Sequence, residues 1–204
     1  MYKKPVIVFE GIEGSGKSLH INYISNYLRK KKISFIKVRE PGGVKNAEKI
    51  RNLILNNKSD FNKNTDLLLY LASRSENVEY LKKIKKKKII LIDRFIDSTV
   101  AYQHYGMKID ISLINKINNF LLKNFKVDFT FLHVVNQNNM IKRLKKRKKL
   151  NRYDKFNSKF YLKVQNGFLK IAKKKKNSYK IIDSNNEIKI NKQIILDKIK
   201  QLIK

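Results

Sequence analysis

The 204-residue sequence predicts an α/β fold in which a doubly wound, five-stranded parallel sheet is flanked by helices. Three observations carry that prediction. A largely β-branched apolar run, Val6-Ile7-Val8-Phe9, enters a glycine-rich loop that opens a helix. Short apolar runs then alternate with helical periodicity along the chain. Those runs are continuously apolar, as in parallel strands covered on both faces.

The first strand is read as Val6 to Glu10. Gly11, Ile12, Glu13, Gly14, Ser15, Gly16, Lys17 and Ser18 follow as G-x-x-x-x-G-K-S, which makes the sheet one of the P-loop NTPase type. Its glycines let successive backbone N–H groups curl around phosphates, Lys17 reaches the outer phosphates, and the Ser18 hydroxyl can ligate Mg²⁺. The helix beginning at Lys17 points its positive dipole end at the same anion. Apolar Leu19, Ile21, Ile24 and Leu28 carry it to about Lys30.

The second strand, Ser34 to Val38, leads into Arg39-Glu40-Pro41-Gly42-Gly43, where Pro41 stops regular structure and the glycines permit a sharp loop. Ala47, Ile50, Leu53 and Ile54 define an amphipathic helix, and Asp66 to Ile84 a longer one. A buried strand, Ile89 to Ile92, runs into Asp93-Arg94-Phe95-Ile96-Asp97-Ser98-Thr99, a polar cluster at the carboxyl end of an interior strand, where open α/β sheets bind ligands. Helices are expected from Thr99 towards Tyr105 and from Ile111 to Leu122, then a fourth strand at Phe129 to Val135 and a basic helix from Asn138 to Lys149. Beyond the polar stretch Leu150 to Asp154 come a long helix from Ser158 to Lys174, a short strand at Tyr179 to Ile182, and a last amphipathic helix ending at Lys204. Residues 1–204 are expected to form one domain, with a lid at about 143–156.

Composition limits the function classes. There is no cysteine, no apolar run long enough to cross a bilayer, and no leader-like segment before the first strand. A cytoplasmic protein without disulfides or membrane association is expected. His20, His104 and His133 are scattered without metal-ligand spacing. The formal net charge of +32 suggests a nucleic-acid binder, but the lysines are spread over the whole length among asparagines and isoleucines, as a pervasive residue bias would leave them. Runs such as Lys85 to Lys88 and Lys173 to Lys176 fall at predicted helix ends, where cations favour the dipole. No specific nucleic-acid partner is expected.

The loop alone does not separate hydrolysis, switching and phosphoryl transfer. A transferase needs Mg²⁺ and several arginines around two anions, and Arg39, Arg51, Arg74 and Arg94 lie at or near ligand-side loops. In a chain that favours lysine, they suggest planar, bidentate recognition. Arg152, in the polar segment between helices, suits a lid that closes over phosphates as an arginine finger, with Arg143 and Arg147 nearby.

The set Phe9 to Ser18, Arg39 to Gly43, Leu69 to Arg74 and Asp93 to Thr99, with Ala101-Tyr102-Gln103 and Arg152 in the lid, resembles bacterial thymidylate kinases over nearly the whole chain. The resemblance implies transfer of the ATP γ-phosphoryl group to dTMP in dTTP synthesis, with Mg²⁺, in a homodimer. It places Lys17, Arg94, Arg152 and Glu13 in catalysis, and residues Gly11 to Ser18 around ATP. Arg74 is expected on the thymine edge, with Ser98, Thr99 and Gln103 lining the same pocket and Tyr70 stacked on the base. Tyr102 would crowd the ribose 2′ position. Glu13 and Glu40 would lie near the sugar hydroxyl and the acceptor end, with Pro41 beside them. Arg51 and Arg94 would hold the monophosphate, and Ser18 with Asp93 the metal. No protein base is required, because the acceptor phosphate is already anionic.

The chain departs from the family pattern at Leu19, His104, Val134 and Asn151, where a threonine, a glycine, an acidic residue and an aspartate are common. Apolar Ile111, Leu113, Ile114, Ile117, Phe120 and Leu121 are available either for the core or for a dimer partner. The competing readings are another deoxynucleoside or nucleotide kinase of the same fold, a basic P-loop nucleic-acid-binding protein, and a GTPase switch, which would need a guanine-reading loop that the sequence lacks.

Overall fold

The computed structural model describes residues 2–147 and 150–204. Five strands, β1 (Val6–Gly11), β2 (Phe35–Arg39), β3 (Ile89–Asp93), β4 (Phe129–Val134) and β5 (Tyr179–Asp183), form one sheet in the order β2-β3-β1-β4-β5. All pairings are parallel. The central strand β1 has β3 on one side and β4 on the other, so the chain changes direction across the sheet at its carboxyl end. In open α/β sheets that switch point is where a crevice forms.

Side chains alternate across β1. Ile7 and Phe9 join Leu91, Phe129 and Phe131 in a core shared with α1 (Lys17–Lys30) and α8 (Ile188–Ile203), through Ile21, Ile24, Ile195 and Ile199. Val6 and Val8 face the other way, with Ile90 and Ile92, against Val78 and Leu81 of α3 (Lys63–Ile84). This period-two division explains why the strands read as continuously apolar: both faces are covered. Each strand was predicted to within one residue at either end.

The helices differ from expectation in four places. The long third helix begins at Lys63, three residues before Asp66. Leu53, on α2 (Lys45–Leu55), is 51 % exposed, so the buried stripe of that helix rests on Ala47 and Ile54. α4 (Ile96–Thr99) begins three residues before the expected helix and continues directly into a π-helical turn, Val100–Gly106, in which the Met107 N–H reaches Tyr102 O at 2.9 Å. The cause lies in packing against α7 (Ser158–Lys174): a methyl at Gly167 would sit 2.5 Å from the Tyr105 ring, so only a bare backbone lets the widened turn lie so close. After α5 (Ile111–Leu122) and β4, α6 spans Gln137–Lys145, and Lys148 and Lys149, which the basic helix was expected to include, lie outside the described residues. Residues Arg152–Lys155 form a 3₁₀ turn capped by the Asn151 side chain. Among the described residues no helix is long and apolar enough to cross a membrane.

Candidate active site

The carboxyl ends of β1, β2 and β3 are in register, with Phe9 opposite Asp93 and Arg39 opposite Asp93. Every loop that leaves them therefore opens on one side of the sheet. The result is a cleft, open to solvent, at the switch point.

The phosphate loop leaves β1 through Gly11. Its φ of +139° and the 2.3 Å that would separate an added Cβ from His133 O leave no room for a side chain. The N-cap of α1 is Gly16, also left-handed at φ +87°. Inside this curl Lys17 Nζ donates to Gly11 O at 2.9 Å and Ile12 O at 2.8 Å. Burial, then the Arg94 guanidinium, pushes the Lys17 ammonium down to about 7. Ile12 turns its own side chain into the core, so only its backbone serves the loop.

Ser18 Oγ donates to Asp93 Oδ2 at 3.2 Å, which brings together the two residues expected at a metal. Arg94 follows Asp93 in the left-handed region, at φ +67°, a strain of roughly 1–3 kcal/mol for a residue with a Cβ. That backbone turns its guanidinium back over the phosphate loop, where it donates to Gly11 O at 2.7 Å and to Glu13 Oε1 at 2.8 Å. The Tyr102 hydroxyl donates to the other Glu13 oxygen, and the Arg94 guanidinium lies over the Tyr102 ring. Burial alone would raise the Glu13 carboxyl; Arg94 and then Lys17 overcome it and hold it below the usual range. Glu13, Arg94 and Tyr102 thus form one locked wall of the cleft.

Arg74 forms the opposite floor. It is 1 % exposed, yet it lines the cleft beside Thr99 and Gln103. Its Nε donates to Glu40 Oε2 at 2.9 Å, Nη1 to Asn118 Oδ1 at 2.7 Å, and Nη2 to Phe95 O at 3.0 Å and Thr99 Oγ1 at 2.9 Å. Glu40 therefore grips Arg74 while also lining the cleft. Burial pushes the Glu40 carboxyl up, and the Arg74 guanidinium pulls it back. Arg51 donates to Pro41 O at 2.7 Å and lines the same cleft, as do Tyr70 and Ser98.

Arg152 does not line the cleft. Its guanidinium is ion-paired with Asp66 on α3 and lies over the rings of Phe61 and Tyr153. The residues of that segment that do face the cleft are Arg147, Asn151 and Tyr153. An aspartate in the first turn of α3 out-competes open solvent for the guanidinium, so the expected finger is engaged elsewhere.

Several contributors are residues to which the sequence reading gave no role. Glu10, the last side chain of an apolar strand, accepts from Phe95 N at 2.8 Å, Ser98 N at 3.2 Å and Ser98 Oγ at 2.5 Å. It holds the start of α4 from below, and burial, then Asp97, pushes its carboxyl up to about 7. Ser73 and Asn77 of α3 stitch down the proline-glycine loop, accepting from Gly42 N at 3.0 Å and donating to Gly42 O at 2.6 Å. A charged residue ending a buried strand was a legible signal for Glu10. Nothing local marks Asn77 or Asn118, and Ser73 stands in the Leu69 to Arg74 stretch with no role read for it. A second groove, on the far side of the phosphate loop, is lined by Ser15, Gly16, Leu19, Arg143 and Ser184.

A phosphate loop and an arginine-floored pocket sharing one cleft fit an enzyme that holds two nucleotides, and the comparisons decide which kind. The family model for thymidylate kinase matches residues 9–195. The chain belongs to the thymidylate kinase family. The thymidylate kinase of Thermosipho africanus is 40 % identical over 184 residues, which cover 89 % of this chain and 90 % of that protein. That of a Sulfurihydrogenibium species is 37 % identical, covering 96 % of each. The crystal structure of thymidylate kinase from Ehrlichia chaffeensis superposes with a TM-score of 0.77 at 31 % identity, over 97 % of this chain and 98 % of that one. As a member of the thymidylate kinase family, the chain is a phosphotransferase that uses ATP, and its doubly wound sheet is the family's.

Proposed function

We propose that the chain transfers the γ-phosphoryl group of ATP to dTMP, and the observation that carries this reading is that Lys17 and Arg74 line one cleft. Lys17 and the loop amides hold the ATP phosphates, and the groove of Leu19, Arg143 and Ser184 takes its nucleoside. Arg74, Thr99 and Gln103 face the thymine edge, with the Gln103 Nε2, buried and without a protein partner, free to bond it. Tyr70 packs on the base, and Tyr102, locked by Glu13, stands against the sugar. Arg94 and Arg51 hold the acceptor phosphate. An oxygen of that phosphate attacks the γ-phosphorus as the bond to the β–γ bridging oxygen of ATP breaks, so ADP leaves and no proton must be removed by the protein.

Mg²⁺ fits the oxygen donors present. The Ser18 hydroxyl and the Asp93 carboxylate, 3.2 Å apart at the loop, are the hard ligands this cation takes together with nucleotide phosphates. It would neutralise charge on the phosphoryl group in flight. The segment at about 143–156, of which residues 148 and 149 lie outside the described residues, acts as a lid on a single domain, bringing Arg147, and Arg152 once it leaves Asp66, to the phosphates. Arg152, Arg94, Lys17 and Glu13 are the catalytic set.

The chain works in the cytoplasm as a homodimer. Exposed apolar side chains at Leu53 (51 %), Leu68 (59 %) and Phe120 (70 %) lie on α2, α3 and α5, which pack in succession. Sedimentation at micromolar concentration checks this, and a monomer there would rule it out.

The reaction is tested by ADP release from ATP and Mg²⁺ with dTMP, dUMP, dCMP, dGMP and dAMP in parallel. Selective turnover with dTMP is expected. Preference for another monophosphate would reassign the pocket around Arg74, and silence with all five would point instead to salt-dependent nucleic-acid binding.

A further inference from the structure

A guanidinium carries five N–H donors in a fixed plane. In Arg74, Glu40 takes the Nε donor, Phe95 O and Thr99 Oγ1 take the two on Nη2, and Asn118 Oδ1 takes one of the two on Nη1. One Nη1 donor remains. Asn118 comes from α5, 44 residues away in sequence, is 2 % exposed, and does not line the cleft. Its acceptor oxygen meets the arginine, while its Nδ2 is buried with no partner. Leaving a buried donor unpaired is costly, so the amide is a poor choice for packing alone.

We propose that Asn118 is a positioning residue for base specificity: by occupying one Nη1 donor it leaves Arg74 a single N–H aimed into the cleft, which accepts a pyrimidine with a carbonyl at C4 and rejects one with an amino group there. This rests on the reading of Arg74 as the residue facing the base. Thymine presents an acceptor at that position and cytosine a donor. A guanidinium free to swing could offer a different edge; one pinned at four donors cannot. An amide meets the guanidinium without adding a second buried negative charge beside the one that Glu40 already supplies.

The test is steady-state kinetics with dTMP and dCMP on Asn118→Leu, Asn118→Asp and Arg74→Lys, and on the Asn118→Leu/Arg74→Lys double variant. Asn118→Leu is expected to raise KM for dTMP about tenfold, the scale of one hydrogen bond to a charged group, to leave KM for ATP unchanged, and to lower the dTMP:dCMP preference. Asn118→Asp, which keeps the acceptor oxygen, is expected to restore most of the dTMP KM. In the double variant the leucine should add nothing to the effect of Arg74→Lys. If Asn118→Leu does not fold, Asn118→Ser, too short to reach Arg74, takes its place. A folded variant with unchanged KM for dTMP and unchanged preference would overturn the proposal, as would equal rises in both KM values or failure of the aspartate to rescue. If Arg74→Lys itself leaves dTMP binding and preference intact, it is the reading of Arg74 as base reader that fails.

Discussion

Asp66, in the first turn of α3, is ion-paired with Arg152 in the segment between α6 and α7, and its other oxygen takes the Tyr153 hydroxyl at 3.2 Å. Tyr153 in turn lies edge-on to Tyr70 and Tyr102, ring centroids 5.8 and 6.2 Å away. The helix that carries Tyr70 and Arg74 is thereby fastened to the segment that carries Arg152.

For the lid, the expected outcome is that Arg152→Ala lowers turnover by about 10³-fold, the scale of an arginine supplied to a phosphoryl transition state, with little change in KM for dTMP. Arg147→Ala should cost less. Single-turnover kinetics on both variants decides the matter. If Arg147→Ala abolishes turnover and Arg152→Ala does not, the finger is the arginine that already faces the cleft.

Lys17 leads to a proton-linked prediction. Its ammonium is pushed down to about 7 by burial and by Arg94, and bound phosphates favour the charged form. Nucleotide binding should therefore take up a proton above pH 7, approaching one per site by pH 8, and none at pH 6. Calorimetry in buffers of different ionisation enthalpy measures this uptake. No uptake at pH 8, or the same uptake in Lys17→Met, would mean that Lys17 is already charged in the free enzyme.

Beneath the phosphate loop, His133 Nε2 and His20 Nδ1 lie 3.1 Å apart, one donating and one accepting, and the outer nitrogens of both rings are buried without partners. Burial holds His20 below its ordinary pKa, and burial with the neighbouring His20 holds His133 well below it. Folding therefore disfavours protonation of both rings, whereas the unfolded chain protonates them near pH 6.5. Their contribution is fully present above pH 6.5 and is lost as pH falls below it, at up to about 1.4 kcal/mol per pH unit for each ring. Urea unfolding of the wild type and His133→Leu from pH 7.5 to 5 should show a shallower fall in the variant. Glu10, raised to about 7, acts with opposite sign but equally in both proteins. Parallel curves would show that the pair does not govern acid stability.

Gly167 tests how the acceptor wall is held. Its added methyl would meet the Tyr105 side chain at 2.5 to 2.8 Å, so Gly167→Ala should destabilise the fold by about 1–3 kcal/mol, as overpacking does. Because Tyr105 belongs to the same turn as Tyr102 and Gln103, KM for dTMP should rise several-fold while KM for ATP holds. Thermal unfolding and kinetics check the two parts separately; an intact dTMP KM in a destabilised protein would show that the turn yields without disturbing the pocket.

What could be read from the sequence was what is local. The phosphate loop, the strand periods and the arginine-bearing loops are contiguous patterns, so Lys17, Arg74, Asp93 and Arg94 could be placed before any coordinates. Partnerships were not legible. In the pattern of α5, Asn118 is one more polar position, and its bond to Arg74 exists only because α5 packs on α3. Asp66 reads as a favourable first-turn acid, with nothing to announce Arg152. The left-handed backbone of Arg94 and the widened turn after Thr99 break local propensity, and tertiary contacts with Phe9, Glu13 and α7 support them instead. Glu40 and Arg152 were assigned to ligands when the fold gives each a protein partner first.

The π-helical turn carries a consequence for how the sequence can vary. Such a turn holds one residue more than the α-helix it replaces, and each residue rotates a helix by about 100°. Deleting Val100 or Ala101 would tighten the turn and swing Tyr102 and Gln103 by about 100° relative to Ser98 and Thr99. Substitutions there alter the pocket by degrees, whereas a change of length dismantles it at once. This stretch is therefore expected to keep its residue count among relatives that retain the same acceptor, even where its side chains drift.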